Sequence, residues 1–305
     1  MMAGATLLLM GQVQAQQDPM FTHYMFNTLA VNPAYAGSRD ALTATGIVRQ
    51  QWLNIDGAPN TQTLTVHTPI FNDRLGLGVS IIHDQVGPLE QTLGFLDVSY
   101  HLPVNEKGQL AFGLKGGVNL VQAGLTTLEL GDATADPAFS QNIQSELLPN
   151  VGAGLYYYTD RYYAGVSVPK FLENDFSTAA GSTATTTASE ERHLFAIAGA
   201  VFDINDVLKL KPTTFLKVVE GAPLQVDLTA SLLIHDKFSV GAMYRSFGAA
   251  GMLVGYQFTD QLRAGYAFDY PLTSLNNYHG WSHEIMLSYD FFFKSKSKIH
   301  SPRYF

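Results

Sequence analysis

The chain contains no cysteine among its 305 residues, which excludes disulfides, thiolate nucleophiles and cysteine-based metal sites. Charged residues make up only 14% of the sequence, against about a quarter in a typical soluble domain. Long apolar runs are also missing, because no segment supplies the roughly 20 apolar residues that a membrane-spanning helix needs. The formal net charge of −8 argues against a nucleic-acid partner, since contacts with phosphates require a basic surface.

Apolar residues are nevertheless plentiful, at 46% of the chain, and are accompanied by 27 glycines. From Asp40 onward they alternate with small or polar residues at a period of two, which indicates β-strands with one apolar face. Leu110, Phe112 and Leu114 share one face of such a segment, whereas Lys115 lies on the other face among glycines. A closed barrel with lipid outside and a polar lumen requires this pattern.

Fourteen segments between residues 40 and 293 show the alternation, and an even number is what a single-chain bacterial barrel requires. The predicted strands are Leu42–Arg49, Thr61–Thr68, Leu75–Asp84, Thr92–Leu102, Gln109–Leu120, Val151–Tyr158, Tyr162–Val168, His193–Phe202, Leu208–Val218, Leu224–Ile234, Phe238–Tyr244, Ala250–Phe258, Leu262–Tyr270 and Ser282–Phe293. The sequence therefore predicts an all-β fold, a transmembrane antiparallel up-and-down β-barrel of about 14 strands in contact with a lipid bilayer.

The connections between these segments alternate in length. Short turns such as Asp203–Val207 and Thr259–Gln261 follow the even-numbered segments. Longer connections follow most odd-numbered segments, including Val121–Asn150, Pro169–Arg192 and Pro271–Trp281. This sorting is typical of outer-membrane barrels, which have short periplasmic turns and long external loops.

Three further segments flank the predicted barrel, residues 40–293. An apolar stretch that ends in small residues predicts a signal peptide over residues 1–15, although it lacks a basic beginning and so leaves the start codon open. Residues 16–39 form an N-terminal arm that we expect to plug the barrel or to seal its periplasmic side. Residues 294–305 form a basic tail, and we expect both termini to be periplasmic.

The sequence shows no clear catalytic or metal-binding arrangement. Asp97, Ser99 and His101 share one strand face, but the spacing of alternate residues, roughly 7 Å between Cβ atoms, predicts that they lie too far apart for a direct triad. The nine histidines are scattered along the chain, which argues against a histidine-rich metal site. We therefore expect no enzymatic activity, no cofactor and no metal ion.

Several short motifs occur in a characteristic order along the chain. They are QDPMFTHYMFN at 17–27, NPAYAG at 32–37, RQQW at 49–52, GAPNT at 57–61, Lys217 followed by GAP at 221–223, GYAFDY at 265–270, HEIML at 283–287 and SPRYF at 301–305. Together they resemble the PorP/SprF family of outer-membrane proteins, which is associated with the type IX secretion system of Bacteroidota. The resemblance extends from Gln17 to Phe305. The Thr/Ser/Ala-rich segment Ser177–Ser189 matches nothing in the family and is expected to be a variable external insertion.

The resemblance implies a function that the residue pattern by itself does not. Members of this family resemble membrane partners of secreted proteins that carry a type IX C-terminal signal domain, including gliding adhesins, and some associate with periplasmic components of the machinery. We therefore expect a protein that docks, helps to export or anchors an adhesin-like cargo protein. The alternative is a porin-like channel for small solutes, which the glycine-rich lumen faces would permit.

Ten residues are candidates for binding the partner or for lining the lumen. They are Asn32, Pro33, Tyr35, Arg49, Trp52, Lys115, Arg245, Arg263, Asp269 and Glu284. The segment from Asn32 to Tyr35 either docks a partner or closes the periplasmic mouth. The lumen charges either line a polar path or ligand site, or form an ionic network that fills a narrow barrel. Arg263 and Asp269 lie roughly 20 Å apart along their strand, so each needs a partner elsewhere.

Overall fold

The computed structural model describes residues 18–71, 73–127, 142–177, 186–273 and 280–292. These residues form a barrel of fourteen β-strands, β1 to β14, in chain order. The strands are β1 Leu42–Gln50, β2 Asn60–Ile70, β3 Leu75–Val86, β4 Leu89–Pro103, β5 Gln109–Ala123, β6 Ile143–Tyr158, β7 Tyr162–Val168, β8 His193–Ala200, β9 Leu208–Val219, β10 Gln225–Ile234, β11 Phe238–Arg245, β12 Ala249–Gln257, β13 Leu262–Pro271 and β14 Ser282–Phe291. The predicted all-β barrel and its number of strands are confirmed.

Every strand pairs with its neighbours in the chain, and all pairings are antiparallel. The first and last strands also pair with each other, from Leu42 opposite Phe291 to Gln50 opposite His283. The pairing of β8 with β9 completes the ring. A closed ring leaves no strand edge with unpaired backbone groups, which is the condition for a sheet to cross a lipid bilayer.

The two faces of the strands differ as the alternation predicts. On β4, Leu96 is 66% exposed while the adjacent Asp97 is buried, and on β5 Leu114 is 68% exposed while Lys115 is buried. The apolar side chains thus point outward and the charged ones point into the lumen. Aromatic side chains on the outer face gather near the two ends of the barrel: Tyr100, Tyr162, Tyr256 and Phe291 near one end, and Tyr244 and Tyr270 near the other.

We call the two ends of the barrel the short-turn end, which holds Leu42 and Phe291, and the long-loop end, which holds Gln50 and Ser282. At the long-loop end β5 and β6 continue further than predicted. The prediction of one loop from Val121 to Asn150 is wrong at both of its ends. The reason is an apolar cluster, formed by Val121, Ala123, Ile143 and Leu148 of the extended strands and Leu125 of the helical turn that follows β5. This cluster stabilises the hairpin beyond the usual length of a membrane strand.

Regular structure outside the barrel is limited in the described residues. Helical turns occur at Thr28–Val31, Pro33–Tyr35 and Leu125–Thr127, and no helix in this part of the chain is long and apolar enough to span a membrane. A short hairpin joins Asp175–Ser177 to Thr186–Ser189. The predicted signal peptide and basic tail lie outside the described residues.

Placing a charge on the outer face tests the barrel fold. We expect Leu114→Lys to lower the free energy of unfolding from lipid bilayers by about 2–4 kcal/mol, because a lysine near the middle of a membrane strand must be desolvated. Val104→Lys is the matched control, since Val104 is exposed in the short turn between β4 and β5. Equal unfolding midpoints in guanidinium for both variants and the parent protein would contradict a lipid-facing position for Leu114.

Candidate functional site

The N-terminal arm lies inside the barrel and extends along its length. Asp18 contacts Lys170, just after β7 at the long-loop end, with 2.5 Å between carboxylate oxygen and Nζ. Arg39 contacts Asp290 near the short-turn end, at 3.1 Å. The arm therefore runs between the two mouths rather than covering one of them. Asp18 lies at the long-loop end of the barrel and Phe292 lies at the short-turn end. The terminal residues themselves are outside the described part of the chain, so the periplasmic position of both termini stays a prediction.

Glu284 on β14 binds the backbone and a side chain of the arm at the same time. One of its carboxylate oxygens accepts hydrogen bonds from the backbone N–H of His23 and contacts the ring nitrogen Nδ1, both at 2.7 Å. The other accepts from the backbone N–H of Thr22 at 2.8 Å and from Arg49 at 3.1 Å. Because Glu284 is fully buried, these bonds replace its hydration and hold the arm in one register.

Two arginines connect this carboxylate to two more. The guanidinium of Arg49 lies 2.7 Å from Asp269 on β13. Arg245 on β11 lies 2.8 Å from Asp227 on β10 and donates to the backbone carbonyl of Phe21. We call this set the arm network, which comprises Thr22, His23, Arg49, Asp227, Arg245, Asp269 and Glu284. The arm network contains three carboxylates and two guanidinium groups. It joins the arm to strands on both sides of the β1–β14 junction.

A separate buried ion pair holds the arm on the opposite wall. Lys115 on β5 lies 3.0 Å from Asp97 on β4 and donates to the backbone carbonyl of Leu29 at 3.3 Å. Its ammonium also lies 5.0 Å from the centre of the Phe95 ring. Lumen charges on this wall therefore also contact the arm.

The turn from Asn32 to Tyr35 packs tightly against the same wall. Asn32 caps the turn by accepting a hydrogen bond from Ala34, and its side-chain amide donates to the carbonyl of Leu155 on β6. Pro33 begins the helical turn, where its missing N–H costs nothing. The backbone can approach β5 this closely because residue 113 is glycine, since a Cβ there would overlap Ala34.

Tyr35 completes this contact with its ring. The ring meets His67 on β2 and Tyr156 on β6 edge to face, with centroid distances of 5.2 Å and 5.4 Å. Such pairs prefer this geometry because the positive edge of one ring meets the negative face of the other. The function of the turn as a docking element for a partner stays a prediction, since in the described structure its side chains contact the barrel.

The expectation for Ser99 and His101 is wrong in one respect. The hydroxyl of Ser99 lies 2.9 Å from Nε2 of His101, so these alternate residues do make contact. Both side chains lean toward the backbone carbonyl of Ala36 in the arm, at 2.6 Å and 2.8 Å, and this shared acceptor draws them together. Asp97 does not join them, because it pairs with Lys115.

The beginning of the arm is held by a cluster of charges at the long-loop end. Lys170 lies within 3.5 Å of Glu190 as well as contacting Asp18, and His193 lies 3.4 Å from Asp18. Burial opposes ionisation of Asp18, but Lys170 and His193 more than compensate and lower its pKa. Burial likewise opposes the charge of Lys170, yet the carboxylates of Asp18 and Glu190 raise its pKa. The pair is therefore ionised over the whole physiological pH range.

Two cavities open on either side of the arm network. The short-turn cavity has a volume of about 410 Å³, and its lining includes His23, Phe26, Lys211, Thr213, Ser231 and Arg263. The long-loop cavity has a volume of about 360 Å³, and its lining includes Met20, Arg49, Trp52, Pro223, Arg245 and Phe247. Among the described residues, no side chain lines both. The arm network lies between them.

The structure brings only some of the ten candidate residues together. Four of them, Arg49, Arg245, Asp269 and Glu284, belong to the arm network. Lys115 lies on the opposite wall with the turn that contains Asn32, Pro33 and Tyr35. Trp52 lies beyond β1 at the long-loop mouth, with its backbone N–H directed to Ser282, and Arg263 lies in the short-turn cavity, bound to Gln257 at 2.7 Å.

Sequence reasoning missed the arm's own contribution to the site. Thr22 and His23 stand inside one of the motifs, but nothing in their spacing shows that they meet Glu284 some 260 residues later. The sequence pattern also does not identify Asp18, Lys170 and Glu190 as site residues, although the last two lie within the predicted connection Pro169–Arg192. Within the described part of the chain, no group of three or more metal-ligating side chains is placed to hold a metal ion.

The fold and its filled lumen define the class of protein, a membrane β-barrel of the outer-membrane type. Residues 13–289 match the family model described as type IX secretion system membrane protein PorP/SprF. The chain therefore belongs to the PorP/SprF family. No curated protein matches its sequence.

Several solved barrels are similar in fold. The CymD monoaromatic hydrocarbon channel is 12% identical, with a TM-score of 0.51, over 88% of this chain and 93% of that one. A Pseudomonas aeruginosa FadL homologue is 14% identical, with a TM-score of 0.49, over 86% and 93%. Omp33 of Acinetobacter baumannii is 12% identical, with a TM-score of 0.48, over 84% and 100%. At these identities the likeness concerns the fold and not the function.

Removing Arg49 tests the importance of the arm network. We expect Arg49→Met to lower the free energy of unfolding by about 3–5 kcal/mol, because it leaves Asp269 and Glu284 buried with less positive charge. The control is Arg161→Met, which breaks the exposed pair of Arg161 with Asp203 and should change stability very little. Denaturant unfolding of the purified barrels measures both, and similar midpoints for the two variants would show that the network does not hold the arm.

Proposed function

We propose that this protein lies in the outer membrane and docks a secreted type IX cargo protein, helping to export it or anchoring it through its C-terminal signal domain. Membership of the PorP/SprF family carries the proposal. The long-loop end would face outward and the short turns the periplasm, as in other barrels with sorted loops. The cargo would be adhesin-like, and periplasmic components of the secretion machinery would be further partners.

Apolar side chains exposed at the long-loop end support docking there. Phe247 is 79% exposed in the turn between β11 and β12, and Trp281, Leu272 and Leu224 are each at least 50% exposed around it. These residues lie just beyond the strand ends and adjoin the long-loop cavity. Clusters of exposed apolar residues on loops commonly mark sites of protein interaction, and Trp52 extends this surface toward β1.

The packed lumen supports a rigid platform rather than a reaction chamber. Ser99 and His101 both contact the backbone carbonyl of Ala36 in the arm. The buried charges of the lumen bind the arm. We infer a non-enzymatic role in which the barrel and arm hold the external loops in a fixed arrangement, ready to bind a folded partner.

A substitution at Phe247 tests this surface. We expect Phe247→Ser to reduce the amount of cargo retained on the cell surface by at least tenfold, with cargo appearing in the medium or the periplasm. Phe71→Ser is the matched control, because Phe71 is 76% exposed at the short-turn end. Quantitative immunoblotting of cell-surface, periplasmic and medium fractions measures the effect. If deletion of the whole gene left every type IX substrate on the surface, the docking role would be wrong.

A channel is the second candidate, and the two cavities on either side of the arm network are the observation in its favour. With the arm in place, the network interrupts any path between them. We expect the purified native protein to give no steady conductance in planar bilayers, whereas deletion of residues 18–31 should produce open steps. Circular dichroism of the deletion variant tests whether the barrel is still folded. Steady conductance of the native chain would favour the channel over a closed platform.

A further inference from the structure

We propose that the long-loop end docks its protein partner through an apolar centre surrounded by carboxylates, so that the partner's docking face carries lysine or arginine around apolar side chains. This inference rests on the proposed function and adds the chemistry of the partner to it. Protein interfaces commonly combine an apolar centre with a polar rim. The sign of the charge on that rim selects the partner and accelerates its approach.

The connection between β1 and β2 is hydrogen-bonded to the connection between β13 and β14. The backbone N–H of Leu53 donates to the carbonyl of Trp281 at 3.1 Å, and the carbonyl of Leu53 accepts from the N–H of Gly280 at 2.9 Å. A Cβ at residue 280 would overlap the Leu53 carbonyl oxygen, so this close approach requires glycine there. Trp52, which lines the long-loop cavity, is thereby fixed beside the exposed Trp281.

Two further connections continue this surface around the cavity. Leu272 donates its backbone N–H to the carbonyl of Gly248, in the turn between β11 and β12, at 2.9 Å. Ser246 in the same turn is bound to Val226 near the beginning of β10, its N–H donating at 2.9 Å and its hydroxyl accepting at 2.8 Å. The connections around Phe247 are thus already ordered, which lowers the entropy cost of docking a partner. We call residues 51–59, 220–224, 246–248, 272–273 and 280–281 the loop surface.

Acidic residues predominate in the connections at the long-loop end. By sequence, these seven connections hold nine acidic and two basic residues, whereas the six short turns hold seven and four. The nine are Asp56, Glu129, Asp132, Asp136, Glu173, Asp175, Glu190, Glu191 and Glu220, and the two are Lys170 and Arg192. An excess of negative charge at one mouth steers a positively charged partner toward it.

Two of these carboxylates belong to the loop surface itself. Asp56 is exposed, four residues after Trp52. Glu220 is also exposed, two residues before Ala222, which lines the long-loop cavity together with Phe247. The apolar side chains around the cavity thus have carboxylates on two sides.

The basic residues near the loop surface are bound to other groups. Arg49 and Arg245 are buried in the arm network, where carboxylates surround them. Lys217 is buried, and its Nζ lies 3.7 Å from the sulfur of Met20 in the arm. Arg192 pairs with an exposed carboxylate at 3.6 Å. The rim of the loop surface therefore keeps its negative charge.

Two short peptides of opposite charge test the chemistry of this surface. One alternates lysine with phenylalanine, and the other has glutamate in place of each lysine. Their binding to the full-length protein in phosphatidylcholine nanodiscs is measured by fluorescence anisotropy, with empty nanodiscs as the blank. We expect the lysine peptide to bind at least tenfold tighter at about 0.1 M NaCl. The preference should largely disappear at about 1 M, where the Debye length falls from about 10 Å to about 3 Å.

Reversing the charge of the loop surface should remove this preference. We expect Asp56→Lys combined with Glu220→Lys to weaken binding of the lysine peptide at least tenfold. The matched control combines Glu106→Lys with Asp160→Lys, which makes the same change of charge at exposed positions in the short turns and should leave the affinity within about twofold. Phe247→Ser should weaken both peptides, because it removes apolar surface and no charge. Circular dichroism and thermal unfolding test whether each variant keeps the fold.

Each other outcome would overturn the proposal in a defined way. Equal affinity for the two peptides, or an equal loss in the control variant, would show that the carboxylates of the loop surface do not select the partner. If neither peptide bound but lipopolysaccharide did so in the presence of Mg²⁺, and charge reversal abolished that binding, the carboxylates would serve a lipid through divalent cations.

The peptide measurement and the cargo measurement can fail separately. Loss of cargo from the surface in Phe247→Ser without any charge preference among the peptides would keep the docking role and remove only the basic partner. A clear preference for the lysine peptide together with unchanged cargo retention would contradict docking of type IX cargo and leave a surface for another basic protein.

Discussion

The interior of this protein depends on the hydrogen bonds and the ion pair that the buried Glu284 carboxylate makes. A carboxylate withdrawn from water is stable only when hydrogen bonds and opposite charges replace its hydration. Here two backbone N–H groups, the His23 ring and the Arg49 guanidinium supply them. Three of these partners belong to the arm and one, Arg49, belongs to the barrel wall, so neither part satisfies its polar groups without the other. The arm is consequently part of the fold rather than an addition to it.

The lipid bilayer imposes the complementary constraint on the outside. Without water in the hydrocarbon region, every backbone group of a spanning strand must pair with a neighbouring strand. The closure of β1 on β14 meets this requirement, and alternation then assigns one face to lipid and the other to the lumen. A ring of fourteen strands leaves a space that its own side chains do not fill. The arm occupies it, and its polar residues match the charges that alternation directs inward.

The sequence predicts the outside of this molecule better than its inside. Period-two alternation identified all fourteen strands because each strand carries its own signal, as between Leu114 and Lys115. It also placed Arg245, Asp269 and Glu284 in the lumen. It could not pair them, because partners such as Thr22 and Glu284 are brought together only by closure of the ring. The contact of Ser99 with His101 escaped for the same reason, since the carbonyl of Ala36 that draws them together belongs to the arm.

The position of the arm also determines what each mouth of the barrel can do. The cavity at the short-turn mouth and the cavity at the long-loop mouth share no lining side chain among the described residues. The two mouths are therefore lined independently, and the long-loop mouth is rimmed by exposed apolar side chains such as Phe247. They are not mechanically independent, because the same arm contacts Lys170 at one end and Asp290, through Arg39, at the other. Any displacement of the arm would change both mouths together, and the ion pairs along its length oppose such a displacement.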